Sequence, residues 1–128
     1  MSIKERLEQI KRGLPEGVSL VAVSKFHPAE HIQEAYDAGQ RIFGESRPQE
    51  MAAKYEALPK DIVWTMIGHL QTNKVKLIAP FVSLIASVDS DRLTAEIQKQ
   101  AERLDRTIDI LLEVHVAQEE TKSGWDIV

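Results

Sequence analysis

The chain has 128 residues, 43% of them hydrophobic and 28% charged, a net charge of −4 and no cysteine. This is one domain with enough apolar material for a real core, and disulfides, thiolate catalysis and cysteine-based metal sites are excluded. No basic block and no run of about 18 apolar residues occurs, which argues against a nucleic-acid surface and a membrane span.

The start, Met1-Ser2-Ile3-Lys4-Glu5-Arg6, lacks the apolar core of a signal peptide, so a cytoplasmic address follows by default. Ile3, Leu7 and Ile10 recur at helical spacing and predict an amphipathic helix over about 2–13, closed by Gly13 and Pro15. Val18-Ser19-Leu20-Val21-Ala22-Val23 reads as a strand buried on both faces, as parallel sheets require, and it ends abruptly in Ser24 and Lys25. A helix from Pro28 to Gly39 follows, with Ile32, Ala35 and Tyr36 on its apolar face. Arg41-Ile42-Phe43 is a second strand. Ser46 and Gln49 then have capping-box spacing for a helix through Met51, Tyr55 and Leu58. Ile62 to Ile67 is a third strand, and a helix from about Gln71 stops at Pro80. Val82 to Val88 is a fourth strand, followed by a helix capped by Asp89 or Ser90 with the stripe Leu93, Ile97, Ala101 and Leu104. Ile108 to Val116 is a fifth strand, and Glu119 to Trp125 reads as a loop.

The strand starts recur every 20 to 26 residues, one strand plus one crossover helix each time. Regular βα units mean a parallel sheet, either open and doubly wound or part of a (β/α)8 barrel. The even spacing favours the barrel, of which this chain holds roughly the first five units. A full barrel takes about 250 residues, so the expectation is the N-terminal part of a single longer domain, preceded by the extra helix.

Chemistry in such folds sits in the loops after the strands. There is no GxGxxG after the first strand and no P-loop. His27, His31, His69 and His115 share no metal-ligand spacing. Glu45 and Glu113 are candidates for an acid/base pair across a barrel mouth, or for solvated carboxylates paired with Arg47 or Lys25. Lys25 ends a buried strand, where a partly desolvated amine can attack a carbonyl to form a Schiff base; position alone equally allows a plain strand exit into water.

Taken together, Val21-Ala22-Val23-Ser24-Lys25, Phe43-Gly44-Glu45, Gln49-Glu50, Ile67-Gly68-His69-Leu70-Gln71-Thr72-Asn73-Lys74 and Ser87-Val88-Asp89-Ser90 resemble the pyridoxal phosphate homeostasis protein family, over essentially the whole chain. The resemblance implies a TIM-type barrel like the N-terminal domain of alanine racemase. It implies pyridoxal 5′-phosphate (PLP) held covalently on Lys25, with Ser46, Met66 and Ser87 as further cofactor contacts, and neither a catalytic residue nor a metal. It also implies a role in PLP supply, with PLP-requiring apoenzymes as partners, and a phosphate loop in a later half of the barrel. The full-length form is expected to be a monomer and residues 1–128 alone to self-associate. The chain departs from the family pattern at Ser46, where Asn is usual, at Arg47, where an aromatic or similar residue is usual, and at Thr65 and Ala86, where His is common. The alternatives are a PLP enzyme such as a racemase, and a Schiff-base or nucleotide-binding α/β module. Against the racemase, Tyr36 and Tyr55 fall in mid-helix and not in a strand-end loop.

Overall fold

The computed structural model describes residues 2–115 and 125–126 of the chain. The first helix, α1, spans Ile3–Arg12. It begins where the Ser2 hydroxyl accepts the Glu5 N–H at 3.1 Å and ends at Gly13, with Leu7 buried. Four βα units and a fifth strand follow: β1 (Ala22–Val23), α2 (Ala29–Asp37), β2 (Ile42–Glu45), α3 (Pro48–Ala57), β3 (Val63–Met66), α4 (Val75–Ile78, entered through a 3-10 turn at Thr72–Lys74), β4 (Leu84–Val88), α5 (Asp91–Arg103) and β5 (Asp109–Leu112). Gly39 closes α2 at φ +106°, a conformation open to glycine at little cost. Ser90 caps α5 through the Leu93 N–H at 3.1 Å.

All five strands are parallel, in the order β1-β2-β3-β4-β5. A doubly wound sheet reverses its order at a switch point; this one never does, and its helices share one hydrophobic cluster with a single face of the sheet. Each crossover lies on the same side of the sheet.

Period two sorts the strand residues into two layers. Phe43 lies level with Trp64, and Glu45 with Met66 and Ile85, all buried under the helices. Fully burying such apolar side chains contributes about 1.5–3 kcal/mol each. The opposite, open face carries Val21, Val23, Gly44, Thr65, Ile67 and Leu84. A Cβ on Gly44 would come within 3.2 Å of both Val21 and Ile67 side chains, so these three share that face.

Several expectations need correction. The first strand is not buried on both faces: Val18, Val21 and Val23 are 53%, 38% and 54% exposed, because helices cover only one side of the sheet. Ser46 does not cap α3. Arg47 takes the N-cap position without a side-chain bond, and Pro48 opens the helix. The fifth strand breaks at Glu113, whose N–H donates to the Val88 carbonyl at 2.8 Å, and Val114–His115 instead pairs in parallel with Trp125–Asp126. Of the loop expected over Glu119–Trp125, residues 119–124 lie outside the described residues, and Trp125 belongs instead to the short strand Trp125–Asp126.

Candidate functional site

The site forms at the carboxyl ends of β1 to β4. At the end of β1 the Ser24 N–H donates to the Gly44 carbonyl at 2.9 Å, so the ladder runs one residue past the strand. Ser24 points into the helix layer, and Lys25 opens the turn that follows. Ser24 is buried, and its hydroxyl donates to the Glu45 carboxylate. Lys25 is exposed, and no hydrogen bond or ion pair holds its amine among the described residues. The amine is thus solvated, not partly desolvated as the buried-strand reading implied.

The register Ala22↔Phe43 and Val23↔Gly44 carries the ladder to Ser24, and Lys25 opens the turn beyond it. Continuation of Glu45↔Met66 and Met66↔Ile85 sets Ser46 level with Ile67 and Ala86. Ser46 also lies against Gly68: a Cβ there would sit 2.7 Å from the Ser46 carbonyl oxygen. The Ser87 hydroxyl donates to the Gly68 carbonyl at 2.5 Å. Ser46 and Ser87 thus both meet the backbone at Gly68, while the Met66 side chain is fully buried in the helix layer, level with Glu45. Thr65 and Ala86, two of the departures from the family pattern, both belong to the open face.

Glu45 does not face a barrel mouth. It is fully buried on the helix side, where the Lys54 ammonium donates to both its oxygens at 3.1 and 3.0 Å. Lys54 also donates to the Glu50 carboxylate at 2.8 Å and to the Ser24 carbonyl at 2.9 Å. Burial pushes the Glu45 carboxyl above its ordinary value, against the hydrogen bonds from Ser24 and Lys54. The Lys54 bond holds Glu50 below its ordinary value, helped by the Phe26 N–H. Sequence reasoning overlooked Lys54. Its signal is a lysine among the buried positions Pro48, Met51 and Lys54 of α3.

At the end of β3, the exposed His69 places Nδ1 3.1 Å from the Asp89 carboxylate, which is itself largely buried. Among the described residues no three His, Cys, Asp or Glu side chains gather as a metal-holding cluster. No helix of these residues is long and apolar enough to cross a membrane. An exposed primary amine at the end of β1 fits a small carbonyl compound held by imine formation.

Residues 1–126 match the family model described as alanine racemase, N-terminal domain. The pyridoxal phosphate homeostasis protein of Aquifex aeolicus is 45% identical over 123 residues, which cover 95% of this chain and 54% of that protein. Its namesake from Schizosaccharomyces pombe is 40% identical over 124 residues, 95% of this chain and 52% of that one. PipY of Synechococcus elongatus is 42% identical and superposes with TM-scores of 0.91 without PLP and 0.88 with PLP bound, covering 98% of this chain and 59% and 58% of those chains. Alanine racemase from E. faecalis, 19% identical over 96% of this chain and 34% of that chain with a TM-score of 0.74, shares the fold. The chain spans about half the length of the curated relatives it matches. Matched almost end to end by one family model and wound as that family's fold is wound, the chain belongs to the alanine racemase N-terminal domain family.

Proposed function

We propose that this chain is part of a PLP homeostasis protein, which holds PLP on Lys25 as a Schiff base and turns over no substrate. The observation that carries the reading is the solvated, unpartnered Lys25 amine at the end of β1. The names of the curated relatives and the PLP-bound form of PipY support it. When bound, the cofactor supplies an aldehyde; a bond forms from Nζ to its carbon and water leaves. Lys25 contributes the amine, and Ser46 contributes a hydroxyl just past the end of the neighbouring strand β2. The Ser87 hydroxyl, already donating to Gly68, fixes the shape of the mouth. Met66 supports the sheet from behind.

The reading without turnover is supported by where several of the acids and bases are committed. Glu45 is tied to Lys54 in the helix layer, and Tyr36 and Tyr55 lie on α2 and α3. Storage and release of PLP to apoenzymes in the cytoplasm is the role this arrangement serves. In the native protein, further βα units close the barrel around the open face and bring the phosphate loop, and the closed form is a monomer that binds neither nucleic acid nor membrane. One observation favours a second reading, a PLP enzyme: His69, oriented by Asp89, is a proton-transfer group at the same end of the sheet.

Borohydride reduction of the PLP-treated native protein, followed by peptide mass mapping, tests the first reading. The adduct is expected on Lys25 and absent in Lys25→Ala. Label centred on Lys74 or Lys122 would overturn it. Amino-acid racemisation that disappears in both Lys25→Ala and His69→Ala would establish the enzyme instead.

A further inference from the structure

Lys25 sits in a turn whose backbone is held from two directions. The His27 N–H donates to the Ser24 carbonyl at 3.1 Å, closing a four-residue turn with Lys25 and Phe26 at its centre. Phe26 has φ +66°, a left-handed conformation that turns ordinarily give to glycine or asparagine and that is costly for a bulky side chain. Such a residue persists only where its surroundings over-determine it.

Those surroundings are specific. The Phe26 N–H donates to the Glu50 carboxylate at 2.7 Å, and the Arg47 guanidinium stands 4.8 Å above the Phe26 ring. On the other side of Lys25, the Ser24 carbonyl accepts from Lys54 at 2.9 Å. Lys54 and Glu50 are joined at 2.8 Å, one turn apart on α3. A single helix thus grips the peptide groups on both flanks of Lys25, through one cation and one anion that are paired with each other. Neither touches the amine. A purely structural salt bridge needs no backbone contact with a strained turn.

We propose that Glu50 and Lys54 are positioning residues for Lys25: together they hold the Ser24–His27 turn in the conformation that presents the amine to the open face. This rests on the reading of Lys25 as the PLP-bearing residue. Phe26 stores the strain, and the Lys54–Glu50 pair keeps it from relaxing. Without them the turn is free to move to negative φ at Phe26, and the amine is no longer held in one direction.

The test uses the native protein, its Lys25→Ala, Glu50→Ala and Glu50→Gln variants, and PLP itself as the probe. Timed borohydride trapping gives the rate of adduct formation at Lys25, and amide hydrogen exchange without PLP reports the Phe26 N–H. Glu50→Ala should slow trapping and speed Phe26 exchange, each by about tenfold, as expected for loss of one charge-assisted hydrogen bond. Glu50→Gln keeps an acceptor for the Phe26 N–H and should recover most of both. Glu50 is partly exposed, so melting temperatures should move little, and a merely structural role would move them alone. If the unaltered protein labels at Lys25 while Glu50→Ala matches it in trapping and exchange, the positioning role is wrong. Equal losses in Glu50→Ala and Glu50→Gln would also overturn it, by assigning the effect to charge. If the unaltered protein gives no adduct at Lys25, the PLP reading fails first and the positioning role falls with it.

Discussion

Replacing Lys54 by Met should destabilise the native protein by about 3–5 kcal/mol at pH 7, the cost of stranding one member of a buried ion pair. The structure says which partner sets that cost. Glu50 is partly exposed and regains water, and the Ser24 carbonyl keeps the His27 N–H at 3.1 Å. Glu45 has neither recourse: its side chain is 0% exposed and that of Lys54 8%, so the loss leaves a buried carboxylate with only the Ser24 hydroxyl. Its carboxyl is already raised above 4.5 by burial, and removing Lys54 raises it further. Between the ordinary and the raised value the folded state binds a proton that the unfolded state does not, so stability increases as the pH falls through that window. Glu50 acts in the opposite sense in the unaltered protein. Its lowered carboxyl adds stability above its ordinary 4.5, lost as the pH falls toward the lowered value, and the variant never has that Lys54-derived part. The two proteins should therefore converge on acidification. Urea unfolding at pH 7 and pH 5 measures the gap, and replacing Glu45 by Leu in the same variant should close much of it at pH 7. A loss below about 1 kcal/mol at pH 7, within the range of an exposed pair, would refute the reasoning, as would a gap that stays constant with pH.

Gly68→Ala places a methyl group 2.7–2.9 Å from the Ser46 backbone and Cβ, in a contact that no rotamer change relieves, and should cost about 1–3 kcal/mol as overpacking; because Ser46 follows β2, the strand paired with β1, the same variant should weaken PLP retention, and an unchanged urea midpoint would contradict it. Residues 1–128 alone should self-associate, since Val18, Val21, Val23, Leu111 and Leu112 are exposed apolar side chains along the sheet. A single monomeric species in sedimentation velocity at tens of micromolar would show that this surface needs no cover.

The repeating unit was legible because a strand and a crossover helix each impose a period on the apolar residues, and four such repeats with a fifth strand leave few alternatives. Which side of β1 was covered was not legible. A run such as Val18 to Val23 reads the same whether helices lie on one face or two, and only the sheet's winding decides. Ser46 misled for a related reason. Its spacing to Gln49 is that of a capping box, but the Ile67 N–H donates to the Glu45 carbonyl at 2.9 Å, which keeps the chain in the ladder to the threshold of Ser46, and Pro48 then starts the helix. Lys54 was hidden by its neighbour: Met51, Tyr55 and Leu58 already make an apolar stripe, so the lysine beside Tyr55 passed as a solvated charge. Its i,i+4 relation to Glu50 was visible, but the partner nine residues back, Glu45, belongs to the preceding strand.

The position of Lys25 was legible, and the buried cluster explains why that position is secure. Adjacent strand residues face opposite layers, so a one-residue slip of β1 against β2 exchanges the surroundings of Ser24 and Lys25. In the native register the Ser24 hydroxyl meets Glu45, and its carbonyl meets Lys54. In the slipped register the Lys25 ammonium, exposed in the native one, would have to be desolvated in the helix layer beside Lys54, while the Ser24 hydroxyl left that layer and Glu45 lost a donor. Val21 and Val23, being apolar and exposed, impose little preference of their own. The register of the strand that carries the proposed PLP lysine is therefore set chiefly by the polar residue before it, and Ser24→Val should loosen that register while adding apolar surface to the core.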